Sequence, residues 1–246
     1  MRKFISFLTL TAMIAGAATA VAQQPAEKPA EKPAARPAMP PEDPAAWKIP
    51  EVVAFIGLKK GDKVADIIGG RLTGALADAV GPTGKVYAVE TSEVVKVHPQ
   101  VMDVMKGLQA KSPQVVVSAD PVSSPLPEGL NAVFIRQNYH DLYDKFMGPA
   151  DVPAFNKAVF KALKPGGVYV VLDHAAALGS GISATETLHR IDPERVKSDV
   201  LAAGFKLDSE SKILANPADD HTKGVFDPSL RSHTDQFLFK FKKPKK

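Results

Sequence analysis

The chain has 246 residues, with 31 Lys+Arg against 27 Asp+Glu for a net charge of +4, and no cysteine. The lack of cysteine excludes disulfides and thiolate chemistry. Half of the small net charge comes from Arg2 and Lys3, so the body has no electrostatic case for binding nucleic acid.

Residues 1–22 read as an export signal. Arg2 and Lys3 form a basic start, Phe4 to Ala18 an apolar stretch too short to span a bilayer, and Ala20-Val21-Ala22 a small-x-small cleavage site before Gln23. In a bacterium the expected destination is the periplasm, with no transmembrane span after signal removal. An uncleaved anchor is the alternative. Residues 23–46, rich in Pro and Ala with an approximate PAEK repeat, read as a disordered linker of polyproline II character. Such a linker serves as a spacer or holds the domain near the envelope. Residues 47–246 are long enough for one domain with a substantial core. They end in KFKKPKK, a basic tail expected to be solvated or to touch anionic lipid.

Glu51 to Leu58 predicts a short helix, and Lys63 to Ile68 a buried strand broken by Gly69-Gly70. Leu72 to Val80 is apolar at helical spacing, Gly81-Pro82-Thr83-Gly84 is a turn, and Val86 to Val89 is a second strand ending in Glu90. This strand–helix–strand unit is of the kind that binds nucleoside cofactors. Glu93 to Ala110 predicts a helix interrupted at His98-Pro99, and Val115 to Val117 a strand ending at Ala119-Asp120. A Pro/Ser-rich loop follows, then a strand over Ala132 to Ile135 that leaves into RQNYHDLYDK. A helix over Val152 to Leu163, a sharp turn at Lys164-Pro165-Gly166-Gly167 and a strand over Val168 to Leu172 lead to Asp173-His174. Asp192-Pro193-Glu194 starts a helix that stops at Gly204. Phe205 to Leu214 and Gln236 to Phe241 are the last two strands, with a polar loop between them.

Strand–helix alternation predicts an α/β, doubly wound, mostly parallel Rossmann-like sheet, and the two closing strands an antiparallel C-terminal hairpin. Ligands of open α/β sheets lie at the carboxyl ends of the strands. The candidate site therefore takes in Asp66, Gly69, Gly70, Glu90, Asp120, Asn138, His140, Asp173 and His174. Gly69 and Gly70 permit close approach of the backbone to a ligand. His140, and with it Asp173 and His174, are the catalytic candidates, because imidazole titrates near neutrality. Asp120 is either a ligand group or an Asx turn before Pro121. His189, Asp219, Asp220, His221 and His233 have metal-ligand chemistry but no H-x-x-x-H or equivalent spacing, so no metal site is expected.

The run GDKVADIIGGRLTGALADAVGPTGKVYAVE, residues 61–90, closely resembles the first motifs of the class I S-adenosylmethionine-dependent methyltransferases. The series LDHAAALGSG, TLHRIDPERVKSDVLAAGF, LANPADDHT, VFDP and TDQFLFKF resembles a subfamily of exported predicted methyltransferases, over roughly residues 48–244. The resemblance implies a seven-stranded sheet, S-adenosyl-L-methionine as cofactor and a methyl acceptor of unknown class. It also implies roles: Asp66, Gly69 and Gly70 in the cofactor loop, Glu90 on the ribose hydroxyls, Asp120 on the adenine, and Asn138 to Asp141 facing the methyl donor. Two departures stand out: Ile68 occupies the place of the first loop glycine, and the loop is two residues short after Arg71. Two functions follow, a methyltransferase and a non-catalytic or repurposed periplasmic binding protein on the same fold.

Overall fold

The computed structural model describes residues 41–245. The signal and most of the linker lie outside the described residues. The linker's last residues do not: Asp43 caps a 3₁₀ turn over Pro44–Trp47 by accepting from Ala45 N–H, so the folded unit begins before residue 47. Among the described residues, no helix is long and apolar enough to cross a membrane.

Helix α1 (Ile49–Ile56) begins on Pro50 and ends at Gly57, whose φ of +81° lets its N–H close back on Val53. Strand β1 (Lys63–Ile67) leads through the glycine loop to α2 (Thr73–Val80) and β2 (Lys85–Thr91). Thr91 caps α3 (Ser92–Val97), accepting from Val94 N–H at 3.2 Å. The break expected at His98-Pro99 separates it from α4 (Val101–Lys111), because Pro disfavours helix in the preceding residue. Strands β3 (Val115–Asp120) and β4 (Leu130–Arg136) are joined by the Pro/Ser-rich loop with no helix between them. After two 3₁₀ turns come α5 (Val152–Ala162), β5 (Leu163–His174), α6 (Thr185–Leu188), α7 (Pro193–Ala202), β6 (Lys206–Ser211) and β7 (Gln236–Lys242).

One boundary differs from expectation. Lys164 to Gly167 is not a turn before the strand but a bulge inside it. Leu163 already pairs with Leu130, Ala132 pairs with Val168, and Gly166 absorbs the kink at φ +80°. The tail is docked as well. Lys243 Nζ donates to Phe160 and Leu163 carbonyls at 2.7 Å, and Lys240 Nζ to Phe55 carbonyl at 2.9 Å. Both lysines place positive charge on orphan carbonyls at helix C-termini, at α5 and α1.

The sheet order is β3-β2-β1-β4-β5-β7-β6, with β7 antiparallel to both neighbours and every other pair parallel. This is an α/β, Rossmann-like methyltransferase fold. The C-terminal hairpin is inserted rather than appended: β7 lies between β5 and β6, and polar β6 takes the edge. One sheet face buries Val133, Ile135, Tyr169, Val171 and Phe239 with α5 and α7 through Phe155, Val159, Val196 and Val200. The other buries Val86, Ala88, Phe134, Val170 and Leu238 with α1, α2 and α4 through Val52, Leu76 and Met105. Phe134 is 0% exposed at the centre of the sheet. Phe134→Ala is expected to destabilise the fold by about 3–5 kcal/mol in urea unfolding, and a loss under about 1 kcal/mol would show a site that collapses freely.

Candidate functional site

At the end of β1, Asp66 is buried and accepts from Thr73 Oγ1 at 2.6 Å, while Thr73 Oγ1 accepts from Gly70 N–H at 2.9 Å. This relay folds the loop back over the strand. A Cβ on Gly69 would stand 2.6 Å from Asp66 Oδ2, so only glycine fits there. Gly70, at φ +136°, has nothing within 4 Å of a Cβ position, which leaves its backbone open to a ligand. Ile68 adopts φ +49°. The position calls for glycine, and a β-branched residue there carries backbone strain that its buried side chain offsets.

Arg136 closes β4 against this loop. Asp66, Ile68, Gly69, Gly70, Arg71, Leu72, Phe134, Arg136 and Asn138 enclose a cavity of about 80 Å³. Arg136 Nε is buried and has no hydrogen-bond partner among the described residues. Its pKa falls to about 10, through burial and the charge of Arg71. Asn138 donates to Arg136 carbonyl at 2.6 Å. Trp47 lies under both Arg71 and Arg136, at 4.5 and 5.6 Å. Glu42 accepts from both outer nitrogens of Arg71, and from Arg231 at 2.8 Å.

A larger cleft of about 330 Å³ adjoins this cavity, lined among others by Val94, Arg136, Asn138, His140, His174, His189 and Phe226. Asp173, fully buried, accepts from His140 N–H at 2.8 Å and His174 N–H at 2.7 Å, and pairs with His140 Nδ1 at 2.9 Å. Asp141 Oδ1 lies 3.2 Å from His140 Nε2. Burial opposes charge on His140, but Asp173 and Asp141 outweigh it and raise the pKa to about 10. With both ring nitrogens facing carboxylates, His140 does not serve as the free general base expected from its position. His174 is the opposite case. Burial, then the charges of His140, Arg136 and Arg190, push its pKa well below the ordinary value. It is a neutral imidazole, with Nδ1 on Thr234 Oγ1 at 2.7 Å.

The nucleoside candidates are placed differently. Glu90 is 1% exposed, accepts Thr91 N–H at 2.9 Å and borders neither cavity. Burial raises its pKa to about 7, with Asp66 adding and the Thr91 hydrogen bond subtracting. Asp120 is exposed and pairs laterally with Thr91, which puts it on the pleat opposite Glu90. It lines a separate apolar groove of about 380 Å³ with Tyr87, Val89, Val116 and Phe155. The structure thus brings together Asp66, Gly69, Gly70 and Asn138 in one cavity, and His140, His174 and Asn138 in one cleft, with Asp173 behind. Glu90 and Asp120 stand outside both. Arg136, Trp47 and Glu42 had no part in the sequence reading. An arginine ending the apolar run Ala132 to Ile135 was the available signal for the first, since a buried Arg is rarely idle.

The polar late loop is held by Arg190, fully buried with Asp219 at 2.8 Å and donating also to the carbonyls of Ala175 and Lys223.

No protein-family model and no curated protein matches the sequence. Solved structures do match the fold. A SAM-dependent methyltransferase from Aquifex aeolicus is 18% identical, with a TM-score of 0.56, covering 82% of this chain and 94% of its own. The N-methyltransferase NodS from Bradyrhizobium japonicum is 13% identical, with a TM-score of 0.53 and coverage of 82% and 95%. The [4+2]-cyclase SpnF is 18% identical, with a TM-score of 0.55 and coverage of 82% of both chains. The structural neighbours are thus chiefly class I S-adenosylmethionine-dependent methyltransferases, and the likeness is one of fold.

Two predictions follow from burial. Arg190→Ala leaves Asp219 buried without its partner and is expected to destabilise by about 3–5 kcal/mol in chemical unfolding; a neutral result would show that the late loop is held by other contacts. Glu90 and Asp66, the latter raised to about 6, bind protons more tightly folded than unfolded. The stability they contribute is complete below their unfolded values, near pH 4, and is lost as pH rises through about 6 and about 7. Melting temperature should therefore fall less steeply between about pH 5 and pH 8 in Glu90→Gln than in the parent; parallel slopes would refute the buried-carboxyl assignment.

Proposed function

We propose that this protein is an S-adenosyl-L-methionine-dependent methyltransferase, exported to the periplasm by its N-terminal signal, acting on an acceptor that lies against His174. The observation that carries this reading is the 80 Å³ cavity, lined by the Asp66 carboxyl, two glycines and an Arg136 whose buried Nε has no partner among the described residues. The cofactor ends in an α-amino acid, whose ammonium suits Asp66 and whose carboxylate suits Arg136. The cavity is too small for a nucleoside, but the adjoining cleft of about 330 Å³ falls in the size range of small-molecule sites, about 300–1,000 Å³. The residues therefore fit the cofactor at its amino-acid end. For the nucleoside end they offer Val94 in the cleft and the open backbone of Gly70, while Glu90 borders neither cavity.

When bound, S-adenosyl-L-methionine supplies an electrophilic methyl group. The chain supplies alignment and a hydrogen-bond acceptor for the methyl acceptor. Arg136 and Asn138 hold the polar head, and Phe146, Val225 and Phe226 give the cleft an apolar side. His174, kept neutral, accepts a hydrogen bond from an acceptor hydroxyl or amine and orients its lone pair. The burial and positive charge that keep the imidazole neutral oppose full proton transfer, so the proton passes to water. Thr234 and Asp173 orient its ring and its backbone.

A second reading, a repurposed binding protein on the same fold, is favoured by Glu42. Its carboxylate already holds Arg71 and Arg231 at the mouth of the cleft. That one fold neighbour is a [4+2]-cyclase agrees with the latitude of the fold.

Calorimetric titration distinguishes the two. Arg136→Met should weaken S-adenosyl-L-methionine by about 10–100-fold, the worth of a charge-assisted hydrogen bond. It should leave methylthioadenosine, which has no amino-acid end, unchanged. Equal loss for both ligands would reject the head-group assignment, and absence of any cofactor binding by the parent would favour the second reading.

A further inference from the structure

The mouth of the cleft holds a cluster that sequence spacing does not reveal. His140, Asp141 and His189 come from two segments about fifty residues apart, yet one ligand atom from each lies within 4.8 Å of the others. Asp141 Oδ1 is 3.2 Å from His140 Nε2 and 4.0 Å from His189 Nδ1. Ligand atoms around a tetrahedral ion with bonds of about 2.0–2.1 Å stand about 3.4 Å apart, so small side-chain rotations close the set. The rings of His140 and His189 meet edge to face at 5.6 Å, which brings two imidazoles to one point without stacking them.

Three features around the cluster are those of a cation site. First, His140 carries a carboxylate on its far nitrogen, with Asp173 Oδ1 at 2.9 Å from Nδ1. That contact keeps a proton on Nδ1, so an entering ion displaces only the Nε2 proton and takes that nitrogen as its ligand, as with the outer-sphere carboxylates of metal-binding histidines. Second, Asp144 is buried beside them with Oδ1 lacking a hydrogen-bond partner among the described residues. Three carboxyl groups thus surround two imidazoles, an excess of acceptors over fixed cations. Third, His189 is held at φ +53°, an uncommon conformation for a histidine, and Phe226 packs on its ring at 5.1 Å. That φ belongs to the left-handed C-cap of α6, where His189 N–H donates to Thr185 carbonyl, and the ring stands 4.0 Å from Asp141.

We propose that His140 Nε2, Asp141 and His189 bind a divalent first-row transition metal, with Asp173 as the orienting carboxylate and at least one coordination position open to the 330 Å³ cleft. Two imidazoles and one carboxylate suit zinc or iron(II) rather than magnesium or calcium, which favour all-oxygen sets. Part of the ligand set is buried and part faces solvent, so an ion has both a path in and a protected seat: His140 is 3% exposed and the His189 side chain 35%. All three ligands line the cleft that the methyltransferase reading also uses, but metal binding is read without cofactor, so the two readings fail separately.

The test is titration of Zn²⁺ into untagged, chelator-stripped full-length protein, with Co²⁺ absorption as a second readout. One equivalent of Zn²⁺ should bind, and Co²⁺ should give a visible d–d band. His189→Ala and Asp141→Asn should each weaken Zn²⁺ by about 100-fold and abolish the band, and Asp173→Asn should weaken it by about 10–100-fold. His221→Ala, at a separate His–Asp pair with Asp235, should bind as the parent does. His189 is the least buried of the three ligands and Asp173 is fully buried, so the His189 variant is expected to remain folded even where Asp173→Asn does not. No binding by the parent, or binding that His189→Ala and Asp141→Asn leave intact, would overturn the site.

Discussion

The Arg190–Asp219 pair governs how the strand ends become a cleft. Both side chains are 0% exposed, and Arg190 reaches three elements at once: the end of β5 through Ala175, the late loop through Lys223, and Asp219 itself. Asp219 also accepts Asp235 N–H at 2.7 Å just before β7. A desolvated ion pair of this kind contributes little net energy when complete and penalises any conformation that breaks it. The long segment between β6 and β7 is thereby pinned over the C-terminal sheet edge, and Val225, Phe226, Arg231 and Thr234 become walls of the site.

Burial then sorts the ionisable groups by role. Glu90 and Asp66, in which burial outweighs the hydrogen bonds they accept and, for Asp66, the charge of Arg136, hold their protons toward neutrality. His140, between two carboxylates, is held charged, while His174, only 6.3 Å from it by ring centroid, is held neutral by burial and by that same charge. Two histidines of similar standing in the sequence thus end with opposite chemistry. Arg136 and Arg71 repel each other across the glycine cavity, which leaves the region short of an anion that Glu42 supplies from outside and that a ligand carboxylate would supply from within.

Much of the scaffold was legible in the chain. The seven strands, the split at His98-Pro99 and the Asp192 cap are consequences of local rules, namely apolar period, proline geometry and side-chain capping. The bulge at Lys164 to Gly167 was misjudged because turn-forming residues look alike at the start of a strand and within one. Ile68 was visible as a misfit, but not that it would take the glycine conformation. The site was legible only in part. Asp66, the glycines, Asn138, His140, Asp173 and His174 were marked by standing at strand ends. Arg136 was hidden by being the last residue of an apolar run, and Glu42 by lying in a segment read as linker.

The sequence by itself determined the order of strands and helices, the hydrophobic faces and the location of ligand chemistry at the carboxyl edge, since these depend on neighbours a few residues away. Only the tertiary structure decided which charged groups share a dielectric environment. The meeting of His189 with Asp141, of Arg190 with Asp219, and of Glu42 with Arg71 and Arg231 joins residues up to 189 apart in the chain. Their protonation and pairing depend on distance and burial after folding, quantities that no local pattern of residues encodes.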